Sequence, residues 1–255
     1  MCDFTLSVYK NLLQTLIEQQ YHFQTVEQFV LSPLSKVAVL RHDVDRLPAH
    51  SLNMAVIEHQ LGVQGTYYFR SCNESFHPDI IRKIVALNHE IGYHYEDLAS
   101  MHGNYETAIN SFIQNLAKLR QYYPVKTICM HGSPLSKYDN RKIWKLYNYH
   151  DFGIIAEPYL DFNFNKIMYL TDTGRGWNKS NASIRDKIEG QHYLQGIKNT
   201  AHLIFMIKEN ILSQQLLFTL HPQRWTNNAY DWFRELIFQN IKNIIKGVVV
   251  RRSNP

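Results

Sequence analysis

The stretch "VAVLRHDVDRLPAHS", residues 37–51, decides the fold. A run of apolar residues fit for a buried strand passes directly into Arg41, His42, Asp43, Asp45 and Arg46, five ionisable side chains within six positions. On a strand, positions two apart share a face, so Asp43 and Asp45 project together while His42 and Val44 project oppositely. Two carboxylates side by side repel unless a cation or a proton lies between them. The residues alone leave two readings open. One is a divalent metal with one Asp as ligand and the other as general base. The other is a charged strand end neutralised by Arg41 and Arg46.

Working outward, strand-length runs such as "GTYYF", "HEIGYH", "VKTICMH", "KIMYL" and "QLLFTLH" alternate with helix-length segments such as "PDIIRKIVALN", "YETAINSFIQNLAKLRQYY" and "DWFRELIFQNIKNIIK". That alternation predicts an α/β chain with a parallel sheet covered by helices. Asp43, Asp45, His94, His131, Asp172 and His221 each fall at or just beyond the C-terminal end of an expected strand. In a closed barrel those ends meet at one mouth, whereas an open sheet spreads them along an edge, so a barrel is expected. One domain is expected over 1–255, with an N-terminal helix at about 1–30. The irregular region at about 157–198 is expected to lie over the mouth, where specificity usually resides.

At 255 residues and 45% hydrophobic, the chain can bury one large core. Its net charge of +5 is scattered rather than gathered on one face, which argues against a nucleic-acid footprint. Three distant cysteines without a CxxC pair suggest neither a disulfide framework nor a cysteine zinc site. No basic leader with an apolar core and no run of membrane-span length is present, so a cytoplasmic protein is expected. Neither GxxxxGK nor GxSxG occurs, which leaves covalent serine catalysis unsupported.

In "NHEIGYHYEDL", residues 88–98, Gly92 lets the chain pack closely. His94 and Glu96 then have the spacing of two ligands from one strand end, a pairing that suits zinc and similar ions. "TICMHGSP" and "LLFTLHPQRW" each end an apolar strand in a histidine, His131 and His221, which fits a ligand and a general acid. Each could equally be a buried histidine bonded to a backbone carbonyl. "TDTGRGWN", residues 171–178, offers Asp172 to orient a catalytic histidine, Arg175 beside it, and Trp177 as the floor of a sugar site.

Taken in order from about residue 37 to 225, these motifs resemble the NodB-type polysaccharide deacetylases of carbohydrate esterase family 4. Among these the likeness is to a divergent WbmS-like branch tied to bacterial surface polysaccharide and lipopolysaccharide biosynthesis. The resemblance implies a distorted (β/α)7 barrel and a divalent metal, zinc first. It implies metal-assisted hydrolysis of an N-acetyl or related N-acyl group on a sugar or sugar precursor. "RHDVD" looks like the family's Asp-Asp motif, with Asp43 as base. Val44 stands at the adjacent ligand position, which passes that role to Asp45. "HYEDL" keeps His94 but shows Leu98 where a second histidine is expected, and Glu96 or His131 could substitute. Asp172 with Trp177, and Leu220 with His221, look like the family's last two motifs, His221 being the general acid. The implied set is therefore Asp43, His221 and Asp172 for catalysis, Asp45, His94 and His131 for metal, and Tyr95, Glu96, Arg175 and Trp177 for substrate. The altered ligand pattern also admits a catalytically inactive carbohydrate-binding or scaffolding protein, or a metal-free C–N hydrolase.

Overall fold

The computed structural model describes residues 2–132, 136–178 and 196–253, the stretch 244–253 by backbone alone. In chain order the elements are α1 (Leu6–Glu18), β1 (His22–Gln24), α2 (Val26–Leu31), β2 (Val37–Val44), α3 (Pro48–Gln60), β3 (Thr66–Phe69), α4 (Pro78–Ala86) and β4 (Glu90–Tyr95). There follow α5 (Asp97–Ser100), α6 (Tyr105–Arg120), β5 (Ile128–Met130), α7 (Pro158–Asp161), β6 (Met168–Thr171), α8 (Thr200–Lys208), β7 (Gln215–Leu220) and α9 (Ala229–Ser253).

Every pairing is parallel, in the order β5-β4-β3-β2-β7-β6. β2 is central, and all eight of its residues are buried, as both faces of a helix-covered parallel strand must be. The sheet curls until its two ends share one interior. Val37 and Val39 of β2, Tyr68 of β3, Cys129 of β5, Tyr169 of β6 and Leu217 of β7 form one buried cluster with Phe162 and Phe164. Ala156 extends the β5 side through a parallel bridge to Thr127. Between that edge and β6 no strand pairing closes the ring among the described residues. Arg41 lies over the Tyr159 ring, and the Tyr159 and Tyr169 hydroxyls stand 3.5 Å apart, so side chains fill the seam. This is the expected distorted (β/α)7 barrel.

Two expectations need correction. Residues 1–30 are not one helix, because His22–Gln24 pair with Val37–Val39 as β1, beneath β3 on the same side of β2. A left-handed Gln20 ends the first helical segment, and a Thr25/Gln28 capping box starts the next. The region 157–198 is partly regular, since α7 and β6 lie within it; residues 179–195 are outside the described residues.

The alternation along β2 sends Arg41 and Asp43 inward and His42 outward. His42 stacks on Tyr67 at 4.1 Å and meets the buried Glu58 at 2.8 Å, with Tyr9 also donating to Glu58. Burial alone would raise the pKa of Glu58, but the His42 and His89 imidazoles outweigh it and hold the carboxyl below its ordinary value. His89 thus serves the packing between β3 and α3.

Gly92 is the tightest point of the barrel wall. A Cβ there would fall 2.2 Å from Tyr68 Cε1 and 3.1 Å from the Thr127 carbonyl, so the Tyr68 ring occupies the space a side chain would need. Gly92→Ala is expected to lower unfolding free energy by about 1–3 kcal/mol through overpacking, as read by urea denaturation. A change near zero would mean that the ring is not held there.

Candidate metal centre and active site

The parallel register brings the ends of β2, β4, β5 and β7 to one mouth. Three side chains converge there: Asp45 just past β2, His94 on β4 and His131 just past β5. Asp45 Oδ1 lies 3.5 Å from His94 Nε2 and 3.5 Å from His131 Nε2. This oxygen is buried and accepts no hydrogen bond, the condition of an acceptor awaiting a cation rather than a satisfied loop carboxylate. The other oxygen, Oδ2, accepts from Gln223 Nε2 at 3.1 Å.

Each imidazole is fixed from behind. His94 Nδ1 donates to the Cys129 carbonyl at 2.9 Å, and His131 Nδ1 donates to Glu96 Oε2 at 2.8 Å. With the proton on Nδ1, the Nε2 lone pair of each ring is directed at Asp45, the tautomer that metal ligation requires. Glu96 is locked in turn by Arg70, whose Nε and Nη2 reach Oε1 at 2.9 and 2.7 Å. Burial works against the Glu96 charge, but the His131 hydrogen bond and charge, with Arg70, bring its pKa down to about 2. Two imidazole nitrogens and one carboxylate oxygen on one side of a gap fit a divalent ion such as zinc. A second grouping, Asp43 with His94 and Cys129, fits less well, because Arg41 already engages both Asp43 oxygens.

Asp43 sits beside the triad, its Oδ2 3.7 Å from His94 Nε2. Arg41, two residues earlier on the same face, donates from Nε to Oδ1 at 2.8 Å and from Nη2 to Oδ2 at 2.6 Å. Burial alone would raise the pKa of Asp43, but the Arg41 guanidinium and then His94 outweigh it and keep the carboxylate below its ordinary value.

Across the mouth, Asp172 follows β6 and His221 follows β7. His221 Nδ1 donates to Asp172 Oδ1 at 2.6 Å, and its backbone N–H donates to Oδ2 at 3.0 Å. Trp225 Nε1 donates to Oδ2 at 2.8 Å, and Arg224 pairs with Oδ1. Burial opposes the charge on Asp172, yet Arg224 and His221 bring its pKa down to about 2. An ionised Asp172 holds the imidazole in one orientation, with Nε2 left to exchange protons.

Four residues expected to bind substrate do not face the mouth freely. Tyr95 is fully buried on the outer face of β4, against Phe112 and Trp144, because the strand alternation that turns His94 inward turns its neighbour out. Trp177 is buried against Phe218 and Trp225, with Nε1 donating to Thr200. Arg175 lies over the rings of Phe4 and Trp232. Glu96 spends both oxygens on Arg70 and His131. The residues missed are Arg70, Gln223, Arg224 and Trp225. The last three form the run "QRW" that follows His221 and Pro222, and beyond that nearness nothing in their spacing marks them.

No protein-family model matches the chain, and no curated protein matches it. Among solved structures it is similar to the Xyl-CE4 domain of a multidomain xylanase from the hindgut metagenome of Trinervitermes trinervoides. Identity is 11%, the match covers 86% of this chain and 84% of that one, and the TM-score is 0.40. At that identity and score the likeness carries nothing about the chemistry, which rests on the residues above.

Because the folded pKa of Asp172, about 2, lies below its ordinary 3.8, its ionisation stabilises the fold above the ordinary value. That contribution, about 2 kcal/mol, is lost as pH falls through about 2. Asp172→Asn is therefore expected to be less stable than wild type by about 3 kcal/mol at neutral pH, with the gap narrowing in strong acid. Chemical denaturation at both pH values checks this, and an equal gap at both would contradict it.

Proposed function

We propose that the chain is a metal-dependent hydrolase that removes an N-acetyl or related N-acyl group from a sugar. The observation that carries this reading is the convergence of Asp45, His94 and His131 between a carboxylate, Asp43, and a histidine–aspartate pair, His221 and Asp172. Asp45, His94 and His131 would hold the ion, which when bound supplies Lewis acidity and makes a nucleophile available at neutral pH.

The chain's own groups divide the proton work. Asp43, kept ionised by Arg41, accepts a proton at a carboxylate oxygen as the attacking water loses it. His221, held by Asp172, carries a proton on Nε2 and delivers it to the departing amine, without which a C–N bond does not break. After turnover Asp43 releases its proton to water and His221 takes one up, which restores both groups for the next cycle. Arg41 keeps Asp43 in place, so the base cannot swing into the ligand set. A degenerate, purely binding site is disfavoured because His131, from the next strand, stands where a third ligand is needed.

The order of motifs from residue 37 to 225 supports the deacetylase reading and, within it, a WbmS-like role in bacterial surface polysaccharide biosynthesis. Among the described residues no helix is long and apolar enough to cross a membrane. A cytoplasmic setting would suit a nucleotide-linked or lipid-linked sugar precursor.

Release of free amine from N-acetylhexosamine, offered as oligomer and as nucleotide-linked precursor, tests the proposal. Activity should require a divalent ion and be abolished by chelation. Asp43→Asn should lower kcat by about 100-fold or more while bound metal stays stoichiometric. His94→Ala and Asp45→Ala should lose metal and activity together. Full activity in Asp43→Asn would remove the base from this account.

A further inference from the structure

Helix α9 is amphipathic in the inverse sense. Its polar side faces the barrel: Glu235 pairs with Arg46, Asn243 Nδ2 donates to the Gly174 carbonyl at 3.0 Å, and Gln239 donates to Asn243 at 2.8 Å. Asp231 faces His50 at 3.9 Å, so both acids of residues 229–243 are turned to the protein. The opposite side carries large apolar side chains in the open: Tyr230 72%, Phe233 58%, Ile237 47%, Phe238 40% and Ile241 52% exposed. At 100° per residue these five cover an arc of about 140°. Arg234 lies 5.8 Å from the Tyr230 ring centre and Lys242 4.4 Å from that of Phe238, so each cation stands beside an aromatic ring, Lys242 with Glu235 also near it.

Shape, area and charge decide what covers this face. A helix–helix seam with a second copy needs a narrow heptad stripe, but these five side chains spread over about 140° of the helix. The five side chains offer roughly 600 Å², short of the ~800 Å² per partner of a stable protein interface. Two copies would also bring Arg234 and Lys242 against their own kind. A broad apolar arc with aromatics and interleaved cations is instead the pattern of a helix lying in a lipid interface.

We propose that this face of α9 rests on the surface of an anionic phospholipid bilayer. Tyr230, Phe233, Ile237, Phe238 and Ile241 enter the boundary between headgroups and acyl chains, and Arg234 and Lys242 meet the phosphates. Because Glu235 holds Arg46, the residue after Asp45, and Asn243 holds the turn after Asp172, α9 sets the barrel mouth beside that surface. This inference goes beyond the hydrolase reading and does not depend on it.

The test is co-sedimentation of the full chain with phosphatidylcholine vesicles, with and without phosphatidylglycerol, alongside light scattering of the chain alone. Binding is expected with a clear preference for the anionic vesicles. Phe233→Glu/Ile237→Glu should abolish it without lowering the melting temperature, since both positions are exposed. Arg234→Glu/Lys242→Glu should weaken binding to the anionic vesicles by about tenfold or more. No binding by the wild type would overturn the proposal, whether the chain is then monomeric or a dimer that Phe233→Glu/Ile237→Glu dissociates. Vesicle binding unchanged by either pair of substitutions would overturn it as well.

Discussion

A guanidinium at the centre of a barrel is tolerable only when a carboxylate meets it with both oxygens, and the Arg41–Asp43 pair satisfies that condition. Arg41 is 1% exposed, so an unpaired charge there would cost several kcal/mol. The pair fixes the division of labour at the mouth. Asp43 is committed to Arg41 and stays ionised beside the triad, while Asp45, one step nearer the opening, keeps an unshared oxygen between two imidazoles. The two aspartates therefore do not compete for one role, although they leave the same strand on the same side.

The supporting structure follows the same logic of fixing each reactive group from behind. His94 is held by a backbone carbonyl, His131 by Glu96 and Arg70, and His221 by Asp172 with Arg224 and Trp225. None of these partners needs to touch a substrate to matter. Their work is to fix a tautomer and an orientation before anything binds. Gly92 contributes by absence, since the Tyr68 ring fills the wall beside His94 only because no side chain stands there.

Much of this was legible in the sequence, because a parallel barrel turns a local signal into a global one. A reactive residue at the end of an apolar strand goes to the mouth, and the structure brings Asp43, Asp45, His94, His131, Asp172 and His221 together there. Position along a strand also fixes facing, which made Asp43 and Asp45 readable as neighbours. The errors lie where facing depends on the third dimension. Tyr95 follows His94 by one residue and is therefore turned into the outer layer; Trp177 sits in a turn whose direction no periodicity encodes. Arg41 was readable as a neutraliser of Asp43, but not as a buried one. The three residues of β1 carry too weak a pattern to separate from the helices around them. Gln223, Arg224 and Trp225 follow a strand end without alternation, so nothing in their spacing distinguished partners of the site from loop.

The most direct measurement is anomalous diffraction at the zinc edge from crystals grown with the protein and zinc chloride. The expected result is one strong peak within about 2.0–2.2 Å of His94 Nε2, His131 Nε2 and Asp45 Oδ1, with the Arg41–Asp43 pair undisturbed. A peak ligated by Asp43 and Cys129, or no peak at the mouth while zinc binds elsewhere, would contradict the account.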